Sequence, residues 1–176
     1  MRGFLKTTAV IIILVLAICF IYSLFPLSYA DIIVREAEAN GIDAHLICAL
    51  IKAESGFDNS AVSGAGAKGL MQLTDETAAE CARELGAAEY DVFNPADNIR
   101  FGTYYIKKLL DMYKGDTECA LAAYNAGYGN VNKWLSDASY SSDGVKLEKI
   151  PFAETSAHTD KVLRYVLFYR YLYPNL

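Results

Sequence analysis

Asp43-Ala-His-Leu-Ile-Cys-Ala-Leu-Ile-Lys-Ala-Glu-Ser55 is the stretch from which the rest of the chain can be read. Asp43 is a strong N-cap, and Gly41 just before it suits the end of an earlier helix. From Leu46 the apolar residues recur at helical spacing, with Leu46, Leu50 and Ala53 on one stripe and Ile47 and Ile51 beside it. The spacing predicts a helix buried almost all round and broken by Gly56. Glu54 therefore carries a carboxyl group into the last turn of an apolar helix. The negative end of the helix dipole and the apolar surroundings both disfavour its ionised form. A carboxyl that keeps its proton near neutrality is what a general acid needs. The plain alternative is a glutamate at a frayed helix end, pointing into water.

Outward from this helix, Asp31 to Asn40 reads as a short helix and the Gly-, Ser- and Ala-rich run from Gly56 to Gly69 as a loop. Thr74 is an N-cap for a helix to Leu85, with Asp75 and Glu76 in its first turn and Gly86 at its end. Asn94-Pro95 opens a long helix to about Tyr113, with Ile99, Tyr105, Ile106, Leu109 and Met112 on its stripe. Further helices are expected over Thr117–Ala126, Val131–Leu135 and Glu154–Tyr173, the last with Val162, Tyr165, Val166, Tyr169 and Leu172 spaced for packing. No alternating run is long enough for a strand. The fold class is all-α.

The first thirty residues hold two basic residues, Arg2 and Lys6, and no acidic one, and Thr7 to Phe25 is an uncharged apolar run. This is the pattern of an exported chain. Ser28-Tyr29-Ala30 offers a cleavage site after Ala30, but the apolar run nearly suffices to span a bilayer, which favours an uncleaved anchor. Arg2 and Lys6 would stay inside and the rest would face outward. The expected division is thus residues 1–30 as membrane anchor or signal peptide and 31–176 as one domain.

Without Arg2 and Lys6, 14 basic residues face 21 acidic ones, a net charge of −7. Such a domain has no electrostatic attraction for nucleic acid or anionic lipid heads. A polymer bound here is recognised by shape, hydrogen bonds and stacking, for which the 13 tyrosines of the chain are suited. The domain keeps Cys48, Cys81 and Cys119, an odd count that argues against a full disulfide framework and leaves a Cys81–Cys119 bridge open. His45 and Cys48 are one turn apart, but the sequence lacks zinc-ligand spacing. No metal or cofactor is expected.

Five blocks in order carry the functional reading. They are Glu54-Ser55-Gly56-Phe57, then Gly64-Ala65-Gly66-Ala67-Lys68-Gly69-Leu70-Met71-Gln72-Leu73, and then Asn94-Pro95-Ala96-Asp97-Asn98-Ile99 with Gly102 and Tyr105. Ala122-Ala123-Tyr124-Asn125-Ala126-Gly127 and Ile150-Pro151-Phe152-Ala153-Glu154-Thr155 complete the set. In this order they closely resemble the Slt-type catalytic domain of bacterial lytic transglycosylases, members of glycoside hydrolase family 23, over about residues 38 to 172. The resemblance implies a goose-lysozyme-like helical fold with a glycan-binding groove. It also implies cleavage of the β-1,4 bond between N-acetylmuramic acid and N-acetylglucosamine, with the muramic O6 closing on C1 to leave a 1,6-anhydro end. Glu54 is then acid and base in turn. Ser55, Met71, Gln72, Tyr124, Asn125 and Glu154 are substrate-binding residues, with Glu154 equally readable as the N-terminal acid of the last helix. Peptidoglycan strands are the implied partner, and a wall-associated protein complex is compatible with the resemblance.

Most glycosidases need two carboxylates. Here the blocks supply one, which suffices if the substrate's acetamido oxygen stabilises the cationic centre. A true muramidase would need a second acid, with Asp58 or Asp75 as candidates, and a glycan-binding module without turnover is the reading from outside enzymes. The sequence departs from the family after Glu154-Thr155. Ser156 and His158 replace the usual Arg and Tyr, and His158 can hydrogen-bond a sugar or titrate near neutrality.

Overall fold

The computed structural model describes residues 2–176, without the side chains of residues 2–7 and 9. Among the described residues eight helices follow one another: α1 (Arg2–Leu24), α2 (Ala30–Asn40), α3 (Ala44–Glu54), α4 (Asp75–Glu84), α5 (Pro95–Met112), α6 (Thr117–Ala126), α7 (Tyr128–Leu135) and α8 (Ala153–Leu172). Among the described residues there is no strand, only isolated bridges that pair Lys68 with Val62 and with Leu73.

The helix starts follow from their caps. The Asp43 carboxylate accepts from the His45 N–H, the Thr74 hydroxyl from the Thr77 N–H, and the Asn94 side chain from the Ala96 N–H ahead of Pro95. Gly41 ends α2 in the left-handed conformation that a side chain would resist. α7 begins three residues earlier than its periodicity indicates, because Gly127 ends α6 and starts α7 at once.

α3 is the central helix. Leu46 to Ile51 are all buried, and its most extensive packing is against α8. The main core joins α2, α3, α5, α6 and α8, while a smaller one gathers Leu73, Ala78, Cys81, Ala82 and Phe101 between α4 and α5. Tyr105 and Tyr124 pack against both. Cys81 and Cys119 lie in different cores as free thiols, so the bridge left open above does not form.

α1 exposes Val10 to Leu16 along its length, yet its end is fastened to the domain. Phe25 is buried, with its ring against Tyr165, Phe168 and Tyr169. The Tyr169 hydroxyl donates to Pro26 O at 2.9 Å and that of Tyr173 to Phe25 O at 2.8 Å. Among the described residues no helix is long and apolar enough to cross a membrane. The spanning anchor expected over Thr7–Phe25 rests partly on residues whose side chains, Arg2 and Lys6 included, lie outside the described set.

Candidate active site

Glu54 is the last residue of α3, and α8 meets it there. Its Oε1 lies 2.8 Å from Nε2 of His158, a histidine only 8% exposed. One turn further along α8, Lys161 Nζ donates to Ala53 O at 2.9 Å. A cation and a ring nitrogen thus oppose the negative end of the α3 dipole, which the apolar spacing of α3 alone could not indicate. The buried face of α8 runs Thr155, His158, Thr159, Val162, Val166, Tyr169, polar in its first two turns and apolar afterwards. The polar part is the one that faces Glu54.

The loop after α3 is folded back on itself. The Ser55 hydroxyl caps the helix end and donates to Leu70 O at 2.8 Å, and it accepts from the Phe57 N–H at 3.2 Å. Ser55 therefore ties the loop to the end of α3. Lys68 and Leu73 exchange backbone hydrogen bonds, and Gly69 N–H reaches Ala61 O. Asn98 of α5, 1% exposed, holds this loop from below. Its carbonyl accepts from Met71 N–H at 2.8 Å, and its amide donates to Lys68 O and Val92 O. A Cβ on Gly69 would fall 2.6 Å from Val92 O, and one on Gly102 2.8 Å from Met71 Cβ, so both positions require glycine.

Met71 is not a groove-lining side chain. It has no exposed surface, because Gly102 lets it sink onto α5, and its backbone carbonyl is what meets the site. That carbonyl accepts from the Tyr124 hydroxyl at 2.7 Å. Burial, and then the negative charge of Glu54, hold the Tyr124 phenol well above its ordinary pKa. It is a neutral donor.

A cavity of about 250 Å³ is lined by Gln72, Leu73, Thr74, Thr77, Tyr105, Tyr124, Asn125, Ala126 and Gly127, at the seam of the two cores. Glu54 is not in its wall. Tyr124 lines the cavity and is near enough to Glu54 for the carboxylate charge to raise its pKa. Gln72 sits in left-handed backbone, with its amide on Gly69 O at 2.9 Å and on Ala61 O at 3.2 Å. Asn125 is exposed, and its carbonyl accepts from the Thr155 hydroxyl at 2.7 Å. Glu154 is exposed in the first turn of α8 and outside the cavity wall.

The candidate second carboxylates are engaged elsewhere. Asp58 is exposed and bound by the Ser60 N–H and hydroxyl, which hold its pKa down. Asp75 is paired with Lys68 at 2.7 Å. The site thus offers one carboxyl group, one imidazole, a neutral phenol and two side-chain amides.

A family model described as the transglycosylase SLT domain matches residues 31–145. The soluble lytic murein transglycosylase of Salmonella typhimurium is 33% identical over 84% of this chain and 24% of its own length. The membrane-bound lytic murein transglycosylase F of Desulfosudis oleivorans is 38% identical over 63% of this chain and 24% of its own. Among solved structures, an inactive mutant of the lytic transglycosylase Slt of Pseudomonas aeruginosa superposes with a TM-score of 0.75 at 37% identity, covering 84% of this chain and 25% of that one. The chain spans about a quarter of the length of these relatives.

Proposed function

This chain belongs to the transglycosylase SLT domain family, and from that membership we propose that it is a peptidoglycan lytic transglycosylase. It cleaves the β-1,4 bond between N-acetylmuramic acid and N-acetylglucosamine and closes the muramic O6 onto C1. Glu54 protonates the leaving oxygen. The acetamido oxygen of the substrate stabilises the cationic centre, and Glu54, now a carboxylate, takes the O6 proton. Gln72, Tyr124 and Asn125 bind and orient the glycan along the groove, with Ser55 and the Met71 carbonyl fixing its wall, and Glu154 binds the strand from the first turn of α8.

The observation that carries this reading is the Glu54 carboxyl group at the end of α3, its side chain 14% exposed beside His158, with Tyr124 of the cavity wall feeling its charge. The positions of Asp58 and Asp75 favour one-carboxylate chemistry over hydrolysis. The domain works outside the cytoplasm, held at the membrane by the uncleaved apolar segment. The burial of Phe25 supports this, since cleavage after Ala30 would remove a core residue.

The test is mass spectrometry of digested peptidoglycan. Muropeptides lighter by one water than reducing-end products are expected. Glu54→Gln lowers turnover about 10²- to 10⁴-fold with glycan binding retained. Reducing ends from the wild type, or an active Glu54→Gln, would refute the reading.

A further inference from the structure

His158 and Glu54 are held together by the packing of α3 on α8, and their hydrogen bond has a definite polarity. A neutral imidazole carries one proton, on Nδ1 or on Nε2. Nδ1 of His158 is buried with no hydrogen-bonding group in reach, whereas Nε2 faces Oε1 of Glu54. A proton on Nδ1 would bury an unmade N–H donor, and orphaned N–H groups are the rarer and costlier fault. The proton belongs on Nε2, and the ring donates to Oε1.

We propose that His158 is a positioning residue for the transglycosylation reaction, fixing which oxygen of Glu54 handles the proton. The inference rests on the reading of Glu54 as acid and base. With Oε1 occupied by the His158 N–H, the transferable proton resides on Oε2. It passes from Oε2 to the glycosidic oxygen as the bond from that oxygen to C1 breaks, the bonding pair staying with the oxygen. O6 then bonds to C1, and its proton returns to Oε2. His158 keeps its own proton throughout. It can donate to Oε1 whether Glu54 is protonated or ionised, and the bond strengthens as negative charge grows on the carboxylate. An interaction stronger in the transition state than in the ground state appears in kcat and not in KM. Lys161, one turn along the same helix, holds the backbone carrying Glu54 and keeps the two side chains in register.

The experiment is steady-state kinetics on purified glycan strands, with thermal melting, for the full chain and its His158→Phe, His158→Asn and His158→Gln variants. Phe removes the donor, and Asn places its amide where Nδ1 stands, too short to reach Glu54. Gln places its amide where Nε2 stands. The expected result is a loss of kcat on the order of 10²-fold for Phe and Asn with KM little changed. Gln recovers most of that loss. Wild-type kcat in His158→Phe and His158→Asn would overturn the assignment, as would a His158→Gln that melts normally and is as slow as His158→Asn. If His158→Phe does not fold, the Asn and Gln pair alone decides. A Glu54→Gln variant that turns over normally removes the acid–base reading and this inference together. One that is inactive beside a kinetically silent His158 series removes this inference alone.

Discussion

The side-chain carbonyl of Asn98 accepts a 2.8 Å hydrogen bond from the backbone N–H of Met71, joining α5 to the loop that follows α3. The same side chain donates to Lys68 O and Val92 O, so three backbone groups meet at one buried amide. Asn98→Ala leaves Met71 N–H and Val92 O unpaired, while Lys68 O keeps its bond from Leu73 N–H, and is expected to cost about 3 kcal/mol, read from urea denaturation. Because Met71 O in turn holds Tyr124, turnover should fall with it, and an unaltered denaturation midpoint would contradict the clamp.

Tyr124→Phe keeps the ring that packs against Tyr105 and removes the donor to Met71 O. The carbonyl left behind should cost about 1–3 kcal/mol. Turnover is expected to fall beyond what the stability loss explains, since Tyr124 lines the cavity and lies within the electrostatic reach of Glu54. Melting curves and kcat measured on the same preparation separate the two effects.

Alkaline pH should find the thiols first. Burial pushes Cys48 and Cys81 up to about 12 and Cys119 to about 11, from an ordinary 9.0. Burial likewise takes Tyr105 and Tyr113 to about 12 from 10.0. The folded state keeps protons that the unfolded chain releases, so their stabilising effect is complete below pH 9. It erodes as pH rises past 9 and faster past 10, by at most about 1.4 kcal/mol per pH unit for each group. Replacing the three buried cysteines with alanine should move the onset up to about pH 10 in denaturation curves recorded across that range.

Phe25→Ala removes a buried ring from between Tyr165, Phe168 and Tyr169. A loss of about 3–5 kcal/mol is expected, together with faster proteolysis of the segment between α1 and α2. A variant that melts and digests like the wild type would show that the segment contributes nothing to the core.

The helices were legible in the sequence because their caps and glycines act locally. Asp43, Thr74 and Asn94 start helices as their side chains dictate, and α3 ends at Glu54 just ahead of Gly56, which takes the left-handed conformation. What escaped depended on contacts distant in the chain. Met71 reads as a groove residue until Gly102, 31 positions away, is seen to admit it into the core. Met112, spaced for packing, is 43% exposed, while Phe101 turns to the smaller core instead. The pairing of His158 with Glu54 spans 104 residues, and the sequence, which offers His158 a sugar as partner, holds no local sign of it. Asn98 carried the one usable hint, an amide on the apolar stripe of a helix, where a buried polar group must find partners.

Phe25 packs beneath α8, and the Tyr169 and Tyr173 hydroxyls hold the carbonyls of Pro26 and Phe25, so force on the leading helix passes first into these contacts. On the proposed function, whatever grips α1 also keeps the proposed glycan groove close to it, and strands within that distance are the ones in reach.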